Sequence, residues 1–128
     1  MALNLAEANR IVQGAIAKAE ELNITISVAV VDSGGRLRAF NRMDGASMAS
    51  GYGCQGKAVA SATFGRASGT IQDSPIARGI IAAEGGHIIP AQGAVPITRG
   101  GQIEGACGVG GGTSQQDEDC AAAGAAKL

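Results

Sequence analysis

The stretch from Thr25 to Ala46, TISVAVVDSGGRLRAFNRMDGA, does most to limit what this chain can fold into. Ile26, Val28, Val30 and Val31 form a β-branched apolar run suited to a buried strand. Asp32-Ser33-Gly34-Gly35 follows, residues that tolerate positive φ and local side-chain turns, as a tight hairpin connection demands. A second strand then runs out at the polar exit Arg42-Met43-Asp44-Gly45. A hairpin pairs antiparallel, so a doubly wound parallel sheet is disfavoured from the outset.

The remaining pattern places helices around that hairpin. Asn4 to Leu22 reads as an amphipathic helix, with Asn4 and Glu7 spaced as a capping box and Leu5, Ala8, Val12, Ala15, Ala19 and Leu22 on one stripe. Ser47 caps a second helix reaching about Phe64, interrupted by Gly51, Gly53 and Gly56. Each interior glycine costs about 1 kcal/mol relative to alanine, so three together imply close approach of another backbone or of a flat ligand. Pro75 opens a short third helix ending near Glu84. Ile88-Ile89-Pro90 and Ala94-Val95-Pro96-Ile97 are extended, since proline and the residue before it avoid helix. A turn at Arg99-Gly100-Gly101-Gln102 leads to a returning strand through Val109, a glycine loop, and a last helix from Gln116 to Ala126. A single antiparallel sheet with helices on its faces accommodates this order.

Charge and composition remove whole classes of function. The net charge is −1 and there are only three aromatic residues, so neither the basic field nor the stacking platforms of nucleic-acid binding are present. No apolar run approaches the roughly 20 residues that span a bilayer. Neither nucleic acid nor membrane is expected as a partner. Three cysteines without CxxC spacing argue against a disulfide framework, and the first ten residues lack the pattern of a secretory signal. A cytoplasmic location is the expectation. The chain has 21 glycines and many alanines, which favour closely apposed backbones and association with copies of itself.

Three segments together resemble the GlcG/HbpS-like family, also described as a haem-degrading domain. They are Val28-Ala-Val-Val-Asp32-x-x-Gly35 leading into Arg42-Met43-Asp44-Gly45-Ala46; Lys57-Ala58 with Phe64; and Gly93-Ala-Val-Pro96-Ile97 followed by Gly105-Ala-Cys-Gly108-Val109-Gly110-Gly111 and Gln116-Asp117-Glu118. The resemblance spans nearly the whole chain as one domain, 1–128. It implies an α+β, profilin-like three-layer α/β/α fold with one antiparallel sheet of about five strands. It also implies a homo-oligomer, built from dimers up to octamers, and a link to haem or corrinoid binding. The chain departs from the family pattern in the glycine-interrupted run Gly51–Gly56 and lacks the Glu-x-x-Glu iron-binding feature of secreted members.

Haem iron takes an axial His, Cys, Met or Tyr within an apolar pocket, which makes His87, Tyr52, Cys54 and Met43 candidates, along with Met48 and Cys107. Cys54, set among glycines, is the expected reactive thiol and Cys107 a small buried hydrophobe. One histidine and scattered cysteines do not make a zinc site, so no metal is expected. Arg42, Asp44 and Lys57 form the polar set of most interest, with Lys57 pointing back toward Asp44 as an acid–base partner or carboxylate anchor. Gly110 and Gly111 precede the last helix and could present N–H groups to an anion. Two functions follow from these residues. One is an oligomeric small-ligand-binding protein, with haem or a corrinoid as the ligand the resemblance suggests. The alternative is a cofactor-independent isomerase, lyase or hydratase of a small organic acid, with Asp44, Lys57 and His87 as its catalytic set.

Overall fold

The computed structural model describes residues 2–128. Helix α1 (Leu5–Glu21) begins with the expected capping box: the Glu7 N–H donates to Asn4 Oδ1 at 2.8 Å and the Asn4 N–H to Glu7 Oε1 at 3.0 Å. Strands β1 (Ser27–Asp32) and β2 (Leu37–Arg42) form the hairpin, whose turn is closed by Asp32 Oδ1 accepting from the N–H groups of Gly34 and Arg36. Helix α2 (Met48–Phe64), a 3₁₀ turn (Ser68–Thr70) and helix α3 (Pro75–Ala83) follow, then β3 (Ala94–Arg99), β4 (Gln102–Gly110) and helix α4 (Ser114–Ala125). The strands form one antiparallel sheet in the order β2-β1-β4-β3.

Alternation along the central strands sorts two cores. Val28 and Val30 of β1 and Cys107 and Val109 of β4 face α1 and α4, where they meet Ile11, Val12, Ala15, Cys120 and Ala121. Ala29, Val31 and Ala106 point the other way, toward Cys54, Ala58 and Val59 of α2. The result is the expected three-layer α/β/α arrangement, but with four strands instead of about five. Ile88-Ile89-Pro90 is the segment that does not join the sheet. The Ile89 N–H donates to Gly56 O at 3.0 Å, so this segment lies on α2 instead of beside a strand.

Small residues set the layer spacing. A Cβ on Gly108 would lie within contact of the Cys54 carbonyl and 2.7 Å from the Ala58 nitrogen, so α2 rests backbone-to-backbone on β4. Gly124 plays the same part between α4 and α1, where a Cβ would come 2.6 Å from Ile11 O. Arg99 ties the far end of the second hairpin to α1: its Nη2 donates to both carboxylate oxygens of Glu7 at 2.9 Å and its Nε to Glu104 at 3.0 Å. The Asn4 N–H and the Arg99 guanidinium hold the Glu7 carboxyl below its ordinary pKa. Among the described residues no helix is long and apolar enough to cross a membrane.

Two glycine replacements separate packing from propensity. Gly53, in α2, has nothing within 4 Å of a built Cβ. Gly53→Ala is expected to stabilise the fold by about 1 kcal/mol through helix propensity. Gly108→Ala is expected to destabilise it by about 3 kcal/mol, because the methyl meets main-chain atoms that cannot step aside. Urea denaturation of both variants checks the opposite signs.

Candidate functional site

An exposed apolar seam lies where edge strand β2 meets α2. Pairing slips between Val30 and Val31, so that Val30 faces Ala39 while Val31 faces Leu37, leaving Arg38 as an extra residue. In a regular strand Leu37 and Phe40, three apart, would point to opposite faces. The bulge puts both on the α2 side, since their partners Val31 and Ala29 face α2. Helix α2 does not reach far enough to cover them. Leu37 and Phe40 therefore remain exposed, at 51% and 38% of their surface, and Met48 and Tyr52 of α2 stand exposed beside them at 71% and 68%.

Two clefts open along this seam. The larger, about 690 Å³, lies between the β1–β2 turn, α2 and the segment after α3, with Val31, Leu37, Val59 and Ile89 on its walls and Arg36, Glu84 and His87 around it. The smaller, about 410 Å³, is lined by Phe40, Arg42, Met48 and Gly51. Tyr52 and Gln55 line both, so the two form one groove crossing the middle of α2. Gly51 and Gly56 shape its floor: a Cβ on Gly51 would meet the Phe40 ring at 3.4 Å, and one on Gly56 would strike the Ile89 side chain.

The groove gathers only some of the residues singled out from the sequence. Tyr52, His87 and Arg42 line it, with Met48 beside them. Asp44 stands exposed in the turn after β2 and lines neither cleft. Met43 turns inward instead, packs against the core beneath α1 and accepts the Ile26 N–H on its sulfur at 3.4 Å. Cys54, expected as a reactive thiol, is fully buried with its Sγ 3.2 Å from Gly51 O, and burial pushes its pKa up to about 12. Cys107 is the buried hydrophobe expected of it, and Cys120 is buried too. Among the described residues no three His, Cys, Asp or Glu side chains converge as a metal site. Sequence reasoning missed Arg36, Gln55, Phe40 and Glu84 as groove residues; the exposed aromatic at an edge strand was the signal available for Phe40.

Lys57 does not pair with Asp44. Its ammonium donates to Asp117 Oδ2 and to the Val109 carbonyl, each at 3.0 Å, and the two side chains are only 12% and 4% exposed. The carbonyl of Val109 lies on the same strand edge as its N–H, which donates to Gly93 O at 2.9 Å. β3 begins only at Ala94, so Lys57 supplies the donor that a longer strand would have provided. Gly93 leaves room for this: it has a φ of 142°, and a Cβ there would sit 2.8 Å from Lys57 Nζ. The second carboxylate oxygen of Asp117 accepts the Gly112 N–H at 2.8 Å. The glycine loop thus binds an anion, but that anion is the chain's own Asp117. Gly110 and Gly111 are packing positions, since a Cβ on either would crowd the carbonyls of Ser50 and Thr25 respectively.

Burial raises the Asp117 pKa above its ordinary value, while the Gly112 N–H and Lys57 oppose that shift. Lys57→Met strands this carboxylate without its cation and is expected to cost about 3 to 5 kcal/mol at pH 7. A raised folded pKa means the fold prefers the protonated acid, so the penalty should shrink as pH falls and Asp117 takes up a proton. Denaturation of wild type and variant at pH 7 and pH 5 reads both effects. The thiols offer a second check: all three cysteines should resist a thiol reagent at pH 8 in the native protein and react once it is unfolded in guanidinium.

Residues 3–126 match the family model described as haem degrading protein HbpS-like. An uncharacterized 15.0 kDa protein from the dhaT-dhaS intergenic region of Citrobacter freundii is 33% identical over 119 residues, covering 90% of this chain and 84% of that protein. Crystallised HbpS superposes with a TM-score of 0.87 at 28% identity, covering all of this chain and 91% of its own. ORFY of Klebsiella pneumoniae gives 0.86 at 28%, covering 98% and 89%. The PduOC:heme complex shares the fold, with a TM-score of 0.87 at 24% identity over all of this chain and 96% of that one. Arrangement and sequence agree: this chain belongs to the HbpS-like haem degrading protein family.

Proposed function

We propose that this protein binds a flat, largely apolar small molecule in the groove between β2 and α2, and that haem or a related tetrapyrrole is the ligand class it takes. The observation that carries this is the exposed row Leu37, Phe40, Met48 and Tyr52 along one open groove. An apolar row left open on a surface marks a ligand groove or an interface, and here it lines a concave one. The larger cleft, about 690 Å³, falls within the range of small-molecule sites, which run from roughly 300 to 1,000 Å³. The donor set fits haem iron: a histidine and a tyrosine line that cleft, and a methionine lines the adjoining one. Family membership and the haem named for the PduOC complex support the same ligand class.

Among the candidate ligands, His87 is the side chain best disposed to reach an iron. It follows Gly85 and Gly86, both at positive φ with open space around them, so its backbone can adjust to a bound molecule. Tyr52, lining both clefts, is placed to stack on a flat ring. The catalytic alternative has less support, because Lys57 is engaged with Asp117 and Asp44 lies outside the groove. We also read the chain as self-associating, since a second copy over the open side of the groove would cover Met48 and Tyr52.

Titration with haemin should give a saturable Soret shift in the wild type. His87→Ala should weaken it by about tenfold or more, the scale on which loss of even a ligand's supporting partner lowers metal affinity, and Tyr52→Ala should also weaken it. A featureless titration, or a spectrum identical in all three proteins, would reject haem as the ligand of this groove.

A further inference from the structure

The walls of the larger cleft are almost uncharged, and the two charges they carry face each other. Arg36 leaves the β1–β2 turn on one side, and Glu84 ends α3 on the other. Arg36 Nη1 and Glu84 Oε1 stand 3.7 Å apart, beyond direct hydrogen-bond distance, with the side chains 69% and 28% exposed. An exposed pair of this length contributes little to stability.

The two partners differ in how firmly they are held. Arg36 has a fixed backbone: its N–H donates to Asp32 Oδ1 at 3.0 Å, and its carbonyl accepts the Asp32 N–H at 2.9 Å. Glu84 closes α3, its N–H donating to Ile80 O at 3.1 Å, and is followed by Gly85 and Gly86, with φ of 66° and 86° and no neighbour within 4 Å of a built Cβ. One charge is presented from a turn closed on both sides by Asp32, the other from a helix end with an open glycine pair behind it. A guanidinium also binds a carboxylate through two parallel N–H···O bonds, a geometry better than the loose contact seen here.

We infer that Arg36 is the anchor for a carboxylate on the ligand of this cleft, and that Glu84 is a built-in competitor which occupies Arg36 until that carboxylate arrives. This deepens the proposed ligand-binding role of the groove and rests on it. Binding is then an exchange of one carboxylate for another on the same guanidinium, with the Glu84 side chain turning away from Arg36. Arg36 would select acids over neutral molecules of the same shape, and Glu84 would lower affinity for all such acids.

Haemin and its dimethyl ester, which share ring and iron but differ in the carboxylates, test this in wild type, Arg36→Gln and Glu84→Gln. Both substitutions are at exposed or half-exposed side chains, and circular dichroism confirms folding. Wild type should favour the acid by about tenfold, the scale of one charge-assisted bidentate contact. Arg36→Gln should abolish that preference and leave ester binding unchanged. Glu84→Gln should tighten binding of the acid several-fold and leave the ester where it was. Equal binding of acid and ester by wild type, or an unchanged acid affinity in Glu84→Gln, overturns the exchange while leaving tetrapyrrole binding intact. If neither porphyrin binds, the tetrapyrrole reading fails by itself. The exchange is then decided with 1-pyrenecarboxylate and 1-pyrenemethanol followed by fluorescence, where the same pattern upholds it and equal or absent binding of the two ends it.

Discussion

The ammonium of Lys57 is the point at which the layers of this protein meet. It leaves α2 on one face of the sheet, takes the carbonyl left open where β3 has not yet begun, and reaches Asp117 at the start of the helix on the other face. Asp117 in turn closes the glycine loop through the Gly112 N–H. Four elements are therefore fixed relative to one another by one buried, hydrogen-bonded ion pair. Such pairs add little net stability compared with apolar replacements, but removing one partner is costly. Here the pair also sets where α2 lies along β4, and hence where Tyr52 and Gln55 stand in the groove.

That placement depends equally on what is missing. With no side chain at Gly108 or Gly110, α2 lies on the sheet closer than a Cβ would permit. A helix drawn in over β4 and β1 leaves edge strand β2 uncovered, and its apolar side chains face solvent. The groove is thus the remainder of a packing solution. Close contact at the centre of the sheet produces open space at its margin.

Much of the fold could be read from local pattern. The capping box at Asn4 and Glu7, the Asp32 turn, the proline-led α3 and both hairpins depend on residues within a few positions of one another, and their chemistry is unambiguous. The family resemblance rested on the two hairpins, together with Lys57-Ala58, Phe64 and Gln116-Asp117-Glu118. The site was less legible because its key facts are long-range. Lys57 was matched with Asp44, thirteen residues away, when its true partner lies 60 residues along the chain. An acid run at a helix start, as at Asp117, has the chemistry of ordinary capping, which conceals a buried carboxylate. Cys54 looked accessible among glycines, but those glycines are what allow Phe40 and Ile89 to press on α2 around it. Ile88-Ile89-Pro90 had the composition of a strand and was claimed by Gly56 O instead. His87 and Tyr52, singled out from the sequence, line the groove, whereas Arg36 was hidden in a turn that seemed complete without its side chain.

The bulge at Arg38 has a bearing on how copies of this chain can meet. A sheet margin with a row of free main-chain groups invites another strand to add to it, which is a common route to uncontrolled polymerisation. At β2 the extra residue breaks the regular spacing such an added strand would need. At the opposite margin β3 carries Pro96, which has no N–H to offer, and its pairing with β4 slips between Ile97 and Thr98. Both margins are therefore poor templates for sheet extension. Any association of copies would fall to side chains and helix faces, which can close a finite particle without growing a fibre.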